Sequence, residues 1–194
     1  MLQKSRKTAV NYSLYLVTDS ALAKGRALLD IVRAAVDGGV TCVQVREKDV
    51  PSRAYIDRLL PVRALLRERG IPLFVNDRVD IALAVDADGI HLGQTDMPLA
   101  MARRISDGRL LIGISCEVPR DALEAEHGGA DYVSASPVFA TPTKTDTAPV
   151  VSSVPSKNWE AYLPRAQITR GRIASSCFCR NGEQVSISTG SGSR

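Results

Sequence analysis

Six strand-length apolar runs recur along the chain, at residues 14–19, 40–45, 72–75, 89–92, 110–114 and 131–135, and each passes directly into polar residues. Continuous apolar runs without polar alternation are what parallel strands require when helices cover the sheet. Between the runs lie stretches with helical spacing. Leu28, Ile31, Val32, Ala35 and Val36 mark one face of a helix over 27–36, stopped by Gly38 and Gly39. A second helix opens at Pro51 and Ser52, is expected to turn Tyr55, Leu59, Leu60, Val62, Leu65 and Leu66 toward a core, and is expected to kink or divide at Pro61. Shorter helices are expected over 80–85, 98–105 and 119–125. Strands alternating with helices every 15 to 30 residues or so imply a parallel sheet with right-handed crossovers. Polar residues after nearly every strand favour a barrel with its site on one face over an open, doubly wound sheet. The expected fold class is therefore α/β, a (β/α) TIM-type barrel with six βα units recognisable.

Beyond Val150 this rhythm stops, and the last two units of such a barrel are missing or replaced by a divergent tail. Residues 1–150 carry 19 basic and 19 acidic side chains, whereas 151–194 carry 6 basic and 2 acidic, so the net charge of +4 belongs entirely to the second segment. Serine follows the same boundary, with 8 in the first segment and 9 in the second. Two domains are expected: 1–150 as the barrel portion, and 151–194 as a Ser/Gly-rich basic tail without fixed structure. The switch resembles a change of reading frame or a truncated copy. An incomplete barrel leaves its first and sixth strands as edges with unpaired backbone groups.

Composition excludes several function classes. The barrel portion has no basic excess, and six scattered cations in the tail form no nucleic-acid motif, so no nucleic-acid partner is expected. The longest apolar stretches are strand-length, and the first residues lack the apolar centre of a signal peptide, so neither a membrane partner nor export is expected. Cys42, Cys116, Cys177 and Cys179 form no spaced framework and read as reduced thiols, as in a cytoplasmic protein.

The block from Pro72 to Met97, PLFVNDRVDIALAVDADGIHLGQTDM, carries the densest chemistry. Its two apolar runs each lead to a carboxylate, Asp77 and Asp96. In a barrel these converge on one mouth, beside Asn76, where two carboxylates suit a Mg²⁺ completed by water and substrate phosphates. The alternative is that both aspartates cap the helices that follow. The second strand ends in Gln44-Val45-Arg46-Glu47-Lys48, in which Gln44, Arg46 and Lys48 share a face and the two cations suit a diphosphate. Alternatively Arg46 is paired with Glu47 or Asp49 in a solvated loop. Lys144, flanked by Thr141, Thr143 and Thr145, makes either a phosphate cradle or a loop whose threonines satisfy turns. Ser115 is placed to meet a substrate or to cap the next segment. His91 is expected to pack or hydrogen-bond within its strand, and His127 to sit at a helix C-terminus, so neither is chosen as a catalyst.

LYLVTD, QVREKD, PLFVNDRVDIALAVDADGIHLGQTDMP, GIS and DYVSASPVFATPTKTDTAP occur in this order, and together, over residues 13–150, they resemble the thiamine-phosphate synthase family. The resemblance implies a (β/α)₈ barrel. It implies a transferase that condenses 4-amino-2-methyl-5-hydroxymethylpyrimidine diphosphate with a thiazole phosphate, releasing pyrophosphate with Mg²⁺ as cofactor. By motif position, Asp77 and Asp96 would hold Mg²⁺. The segment Gln44, Val45, Arg46, Glu47 and Lys48, with Asn76 and Lys144, would receive the pyrimidine diphosphate. Ser115 would lie against the pyrimidine or its leaving group, and Thr141 and Thr143 would contact the thiazole phosphate. Arg46, Lys48, Lys144 and Ser115 are the residues assigned to catalysis.

The sequence departs from the family at three places. Glu117 stands where a His is usual, Ser136 precedes Pro137 where the family has Gly-Pro, and the seventh and eighth strands with their Gly-Gly turn have no counterpart. A non-catalytic barrel that retains affinity for phosphate ligands is therefore the alternative function. A homo-oligomer, in which a second copy completes the thiazole-phosphate site, is left open.

Overall fold

The computed structural model describes residues 10–135 and the strand backbone of 178–180 and 183–187. Six βα-type strands run parallel: β1 (Leu14–Val17), β2 (Cys42–Val45), β3 (Leu73–Asn76), β4 (Gly89–Leu92), β5 (Leu111–Cys116) and β6 (Tyr132–Ala135). They are joined by α1 (Leu28–Asp37), α2 (Ser52–Glu68), α3 (Val79–Ala84), α4 (Leu99–Ser106) and α5 (Pro119–His127). Each strand pairs with its predecessor in the chain. The sheet is curled: five inter-strand steps of about 4.8 Å would put β1 and β6 roughly 24 Å apart in a flat sheet, yet the hydroxyls of Tyr15 and Tyr132 are 3.1 Å apart. The result is a half-barrel.

The strand alternation sorts the core into two layers. Leu16, Val43, Val45, Leu73, Val75, Ile90, Leu92, Ile112 and Ile114 belong to one buried cluster with the helix residues Val32, Tyr55, Leu59, Val62 and Leu66. Tyr15, Cys42 and Phe74 form a second cluster on the concave side, with Tyr12, Leu111 and Tyr132 packed against it. Rings fill this interior, and glycines make the room. A Cβ at Gly89 would lie 2.2 Å from the Phe74 ring, and one at Gly113 would lie 2.0 Å from that of Tyr132. Phe74 and Tyr132 meet edge to face at 5.6 Å, a geometry that sets a ring edge against a ring face.

Pro61 neither ends nor divides α2, which continues from Ser52 to Glu68. Tyr55, Leu59, Val62 and Leu66, on both sides of the proline, are at most 1% exposed, and that packing holds the helix across the missing backbone donor. At the opposite end of the half-barrel from the strand termini, Asp88 and Asp131 repeat one device. Asp88 accepts the Leu73 N–H at 2.8 Å and Arg63 at 2.8 Å. Asp131 accepts the Ile112 N–H at 2.8 Å and is ion-paired to Arg103. Each carboxylate ties the start of its strand to the neighbouring one.

The expectation that the first strand is an open edge is corrected. Strand β8 (Glu183–Ile187) pairs antiparallel with β1, Leu14 opposite Ile187 and Val17 opposite Gln184, and β7 (Phe178–Arg180) pairs with β8. An unpaired strand edge is a template for any extended segment within reach, and Glu183–Ile187 supplies one. The loop 136–145 expected after β6, with Thr141, Thr143 and Lys144, lies outside the described residues.

Candidate active site

Asp77 and Asp96 lie just past the C-terminal ends of β3 and β4, where the charge and polar contact of Asp96 bear on the Asp77 carboxyl. Neither caps a helix. The residues preceding α3 and α4 are Arg78 and Pro98, and no side chain caps either helix. Asp77 instead takes a left-handed backbone, φ +63°, that turns the chain out of β3. Its N–H donates to the His91 carbonyl at 2.9 Å, and the next N–H, of Arg78, to the Asn76 carbonyl at 2.7 Å. Asp96 folds back on its own loop, where Oδ2 accepts the Gly93 N–H at 2.6 Å.

Burial, then the hydrogen bond and charge of Asp96, push the Asp77 carboxyl up to about 7, against the opposing pull of Lys48 and Arg46. Two acids and two cations from β2, β3 and the segment after β4 therefore share one field. A pair of facing carboxylates that retains a proton near neutrality offers a hard cation an anionic oxygen site. No group of three or more His, Cys, Asp or Glu suited to a metal occurs among the described residues, so most of a cation's coordination there falls to water and substrate. The donor set fits Mg²⁺, which keeps several waters and prefers oxygen.

Arg46 is paired neither with Glu47 nor with Asp49. Its guanidinium is ion-paired to Asp19, just past β1, and both side chains are less than one fifth exposed. The Arg46 N–H donates to Thr18 Oγ1 at 3.3 Å, so the ends of β1 and β2 are tied together beneath this cation. Val45 is fully buried in the layer between sheet and helices. Glu47 accepts the Ser20 hydroxyl at 2.5 and 2.6 Å and Arg58 at 3.2 Å, with its side chain fully buried. Of the run 44–48, Gln44 turns to the concave side, where it meets Tyr15, and Arg46 and the exposed Lys48 act on Asp77 through their charge, whereas Val45 and Glu47 are occupied by packing and by an ion pair. Asn76 is buried at the end of β3, beside Asp77.

Deeper in the concave side runs a chain of polar groups. Gln44 Nε2 donates to the Tyr15 hydroxyl at 2.8 Å, and the Tyr15 and Tyr132 hydroxyls are 3.1 Å apart. The Tyr132 hydroxyl is 2.9 Å from His91 Nδ1, and His91 Nε2 is 2.9 Å from Ser115 Oγ. Burial, the largest cause, holds the phenols of Tyr15 and Tyr132 well above their ordinary range, so both are neutral. Ser115 does not cap α5; Asp121 does, accepting the Glu117 and Val118 N–H groups at 2.8 and 3.0 Å. His91 is more than a packing residue of its own strand, because it bridges β5 and β6. Tyr15, Tyr132, His91 and Asp19 are the residues of this region that sequence reasoning did not assign. For Asp19 a signal existed: it ends the first apolar run just as Asp77 follows the third.

The family described as thiamine monophosphate synthase matches residues 14–169, which reaches past Val150. A thiamine-phosphate synthase of Syntrophomonas wolfei is 54% identical over 139 residues, covering 72% of this chain and 66% of that protein. One of Desulfitobacterium hafniense is 46% identical over 165 residues, covering 85% and 80%. The structure of a thiamine phosphate pyrophosphorylase from Pyrococcus furiosus superposes with a TM-score of 0.62 at 37% identity, covering 77% of this chain and 79% of that one. Against several of the curated relatives, the matched stretch spans a little under two thirds of their length.

Proposed function

The chain belongs to the thiamine monophosphate synthase family, and on that premise we propose that it condenses 4-amino-2-methyl-5-hydroxymethylpyrimidine diphosphate with 4-methyl-5-(2-phosphoethyl)thiazole to give thiamine phosphate and pyrophosphate. The observation that carries this reading is the Asp77–Asp96 pair set against Arg46 and Lys48. Two acids facing two cations suit a metal-bound diphosphate.

In this reaction the bond between the pyrimidine's exocyclic carbon and the diphosphate oxygen breaks, and the electron pair leaves with pyrophosphate. The thiazole nitrogen then forms the new C–N bond. Arg46 and Lys48 neutralise charge that grows on the departing oxygens, which is electrostatic stabilisation in a partly buried site. Gln44, Asn76 and Ser115 orient the pyrimidine, and Lys144 adds a further cation to the diphosphate. Thr141 and Thr143 receive the thiazole phosphate. Val45 and Glu47 serve by fixing the strand end that presents their neighbours. Held by Asp77 and Asp96, Mg²⁺ supplies Lewis-acid stabilisation of the diphosphate and a template for it. Holding both substrates in line accounts for the rest, and no general base is needed.

The half-barrel is the six-unit portion of a TIM-type barrel, in which residues 1–150 carry the diphosphate and metal half-site and 151–194 form a divergent segment. We place the reaction in the cytoplasm, with small molecules as its partners and a homo-oligomer as one way to complete the thiazole-phosphate site. Two observations are compatible with this: Cys42 and Cys116 are buried free thiols, and no helix among the described residues is long and apolar enough to cross a membrane. The test is to incubate the purified protein with both precursors and Mg²⁺ and to measure thiamine phosphate, with Asp77→Ala as the blank. Product above the blank is expected. Saturable, Mg²⁺-dependent binding of the pyrimidine diphosphate without product would replace synthesis by a non-catalytic binding role.

A further inference from the structure

The polar chain across the concave side has a direction. Gln44 is 4% exposed, and its amide nitrogen, 2.8 Å from the Tyr15 hydroxyl, can only donate. The Tyr15 oxygen therefore accepts, and because its buried hydroxyl has no other acceptor among the described residues, its own proton goes to the Tyr132 oxygen at 3.1 Å. The Tyr132 proton in turn goes to His91 Nδ1 at 2.9 Å. A neutral imidazole that accepts at Nδ1 carries its hydrogen on Nε2, and that hydrogen points at Ser115 Oγ, 2.9 Å away. Each hydroxyl and the neutral imidazole has one hydrogen to donate, and each is used by the next. Among the described residues, the hydroxyl hydrogen of Ser115 is the one left over at the end.

From this we infer that Tyr132 and His91 are positioning residues that fix Ser115 as a hydrogen-bond donor, aimed at an acceptor atom of the pyrimidine diphosphate; the identity of that ligand rests on the function proposed above. A chain of the opposite sense would make Ser115 donate to His91 and present only lone pairs to the ligand. The Gln44 amide decides between the two, although it lies four hydrogen bonds from Ser115. The ring of Tyr132 is also part of the aromatic packing against Phe74, so its hydroxyl can be removed while the ring stays.

The test uses the full chain labelled with ¹⁵N-histidine, in which His91 and His127 are the two histidines and His127→Gln assigns the spectrum. Nitrogen–carbon correlation spectra are expected to show His91 as the neutral Nε2–H tautomer, and Tyr132→Phe is expected to convert it to a mixture. A His91 with its hydrogen on Nδ1 overturns the proposal. Binding of the pyrimidine diphosphate, measured by calorimetry with Mg²⁺, is expected to weaken about tenfold in both Tyr132→Phe and Ser115→Ala. The double variant is expected to be no weaker than Ser115→Ala alone, because both changes remove one donor. Additive losses overturn the proposal, since Tyr132 would then act independently of Ser115. The tautomer requires no turnover, so a protein that makes no thiamine phosphate fails the functional reading while the direction of the chain is still decided.

Discussion

The Phe74 ring occupies the space that a side chain on Gly89 would need, with a ring carbon 2.2 Å from the position of the absent Cβ. The two residues are register partners on adjacent strands. Gly89 is thus required by the Phe74 ring and by the Leu111 carbonyl, 2.9 Å from the same position, and not by its own backbone conformation.

Gly89→Ala is expected to destabilise the fold by about 1–3 kcal/mol, the usual cost of overpacking a filled core, read from urea unfolding. Combining it with Phe74→Leu should cost less than the sum of the two single changes, as expected for side chains in contact. Full additivity would mean that the ring moves aside without strain.

The raised Asp77 carboxyl gives the metal-free protein a defined pH dependence. Between its ordinary value of 3.8 and about 7, the folded state holds a proton that the unfolded state has released. Stability therefore falls as pH rises through that window and levels off above it. Asp77→Asn should remove this component, so thermal scans of the variant in chelator will show a flatter profile on the neutral side. Mg²⁺ competes with the same proton, and its apparent affinity should weaken as pH falls below about 7. A Mg²⁺ affinity that does not change between pH 6 and pH 8 would separate the ion from this carboxylate.

Arg46 presents a planar fork steadied by Asp19. Arg46→Lys keeps the charge and loses the fork, so the pyrimidine diphosphate should bind roughly tenfold more weakly, in line with the loss of one charge-assisted hydrogen bond. Calorimetry in Mg²⁺ buffer measures this directly. An unchanged Kd would leave Arg46 with the purely structural task of holding β1 to β2.

Asp131 belongs to the stabilising end. Asp131→Ala leaves the Ile112 N–H without its acceptor, while Arg103 keeps the Leu110 and Gly129 carbonyls, and should cost about 1–3 kcal/mol of unfolding free energy. The Kd for the pyrimidine diphosphate should be unaltered in whatever fraction remains folded. A variant with normal stability would show that water replaces the carboxylate.

Every predicted element from the first strand to the sixth falls within two residues of its observed bounds, because apolar runs, helical spacing and glycine stops are local signals. The acid pair was legible for a similar reason: Asp77 and Asp96 each follow a strand, and a parallel sheet brings such ends together. What the local pattern did not carry was partnership. Arg46 had acids next to it in the chain, at Glu47 and Asp49, but Ser20 and Arg58 claim the first, while Asp19 arrives from another strand. His91 looked like a strand residue because its partners, Tyr132 and Ser115, are set by the curl of the sheet and by cross-strand register. The helix is not divided at Pro61, because packing on both sides of the proline outweighs one lost hydrogen bond.

Because each strand lies beside the one before it in the chain, the half-barrel can be laid down in the order in which a ribosome delivers it, and no unit has to wait for a distant partner to form its sheet bonds. The interior is different. Tyr15 meets Tyr132 across 117 residues of chain, so a nascent protein that has already built most of its sheet still has an open, wettable centre. Tyr132 is the last of these rings to be synthesised, and its hydroxyl completes the polar chain from Tyr15 to His91.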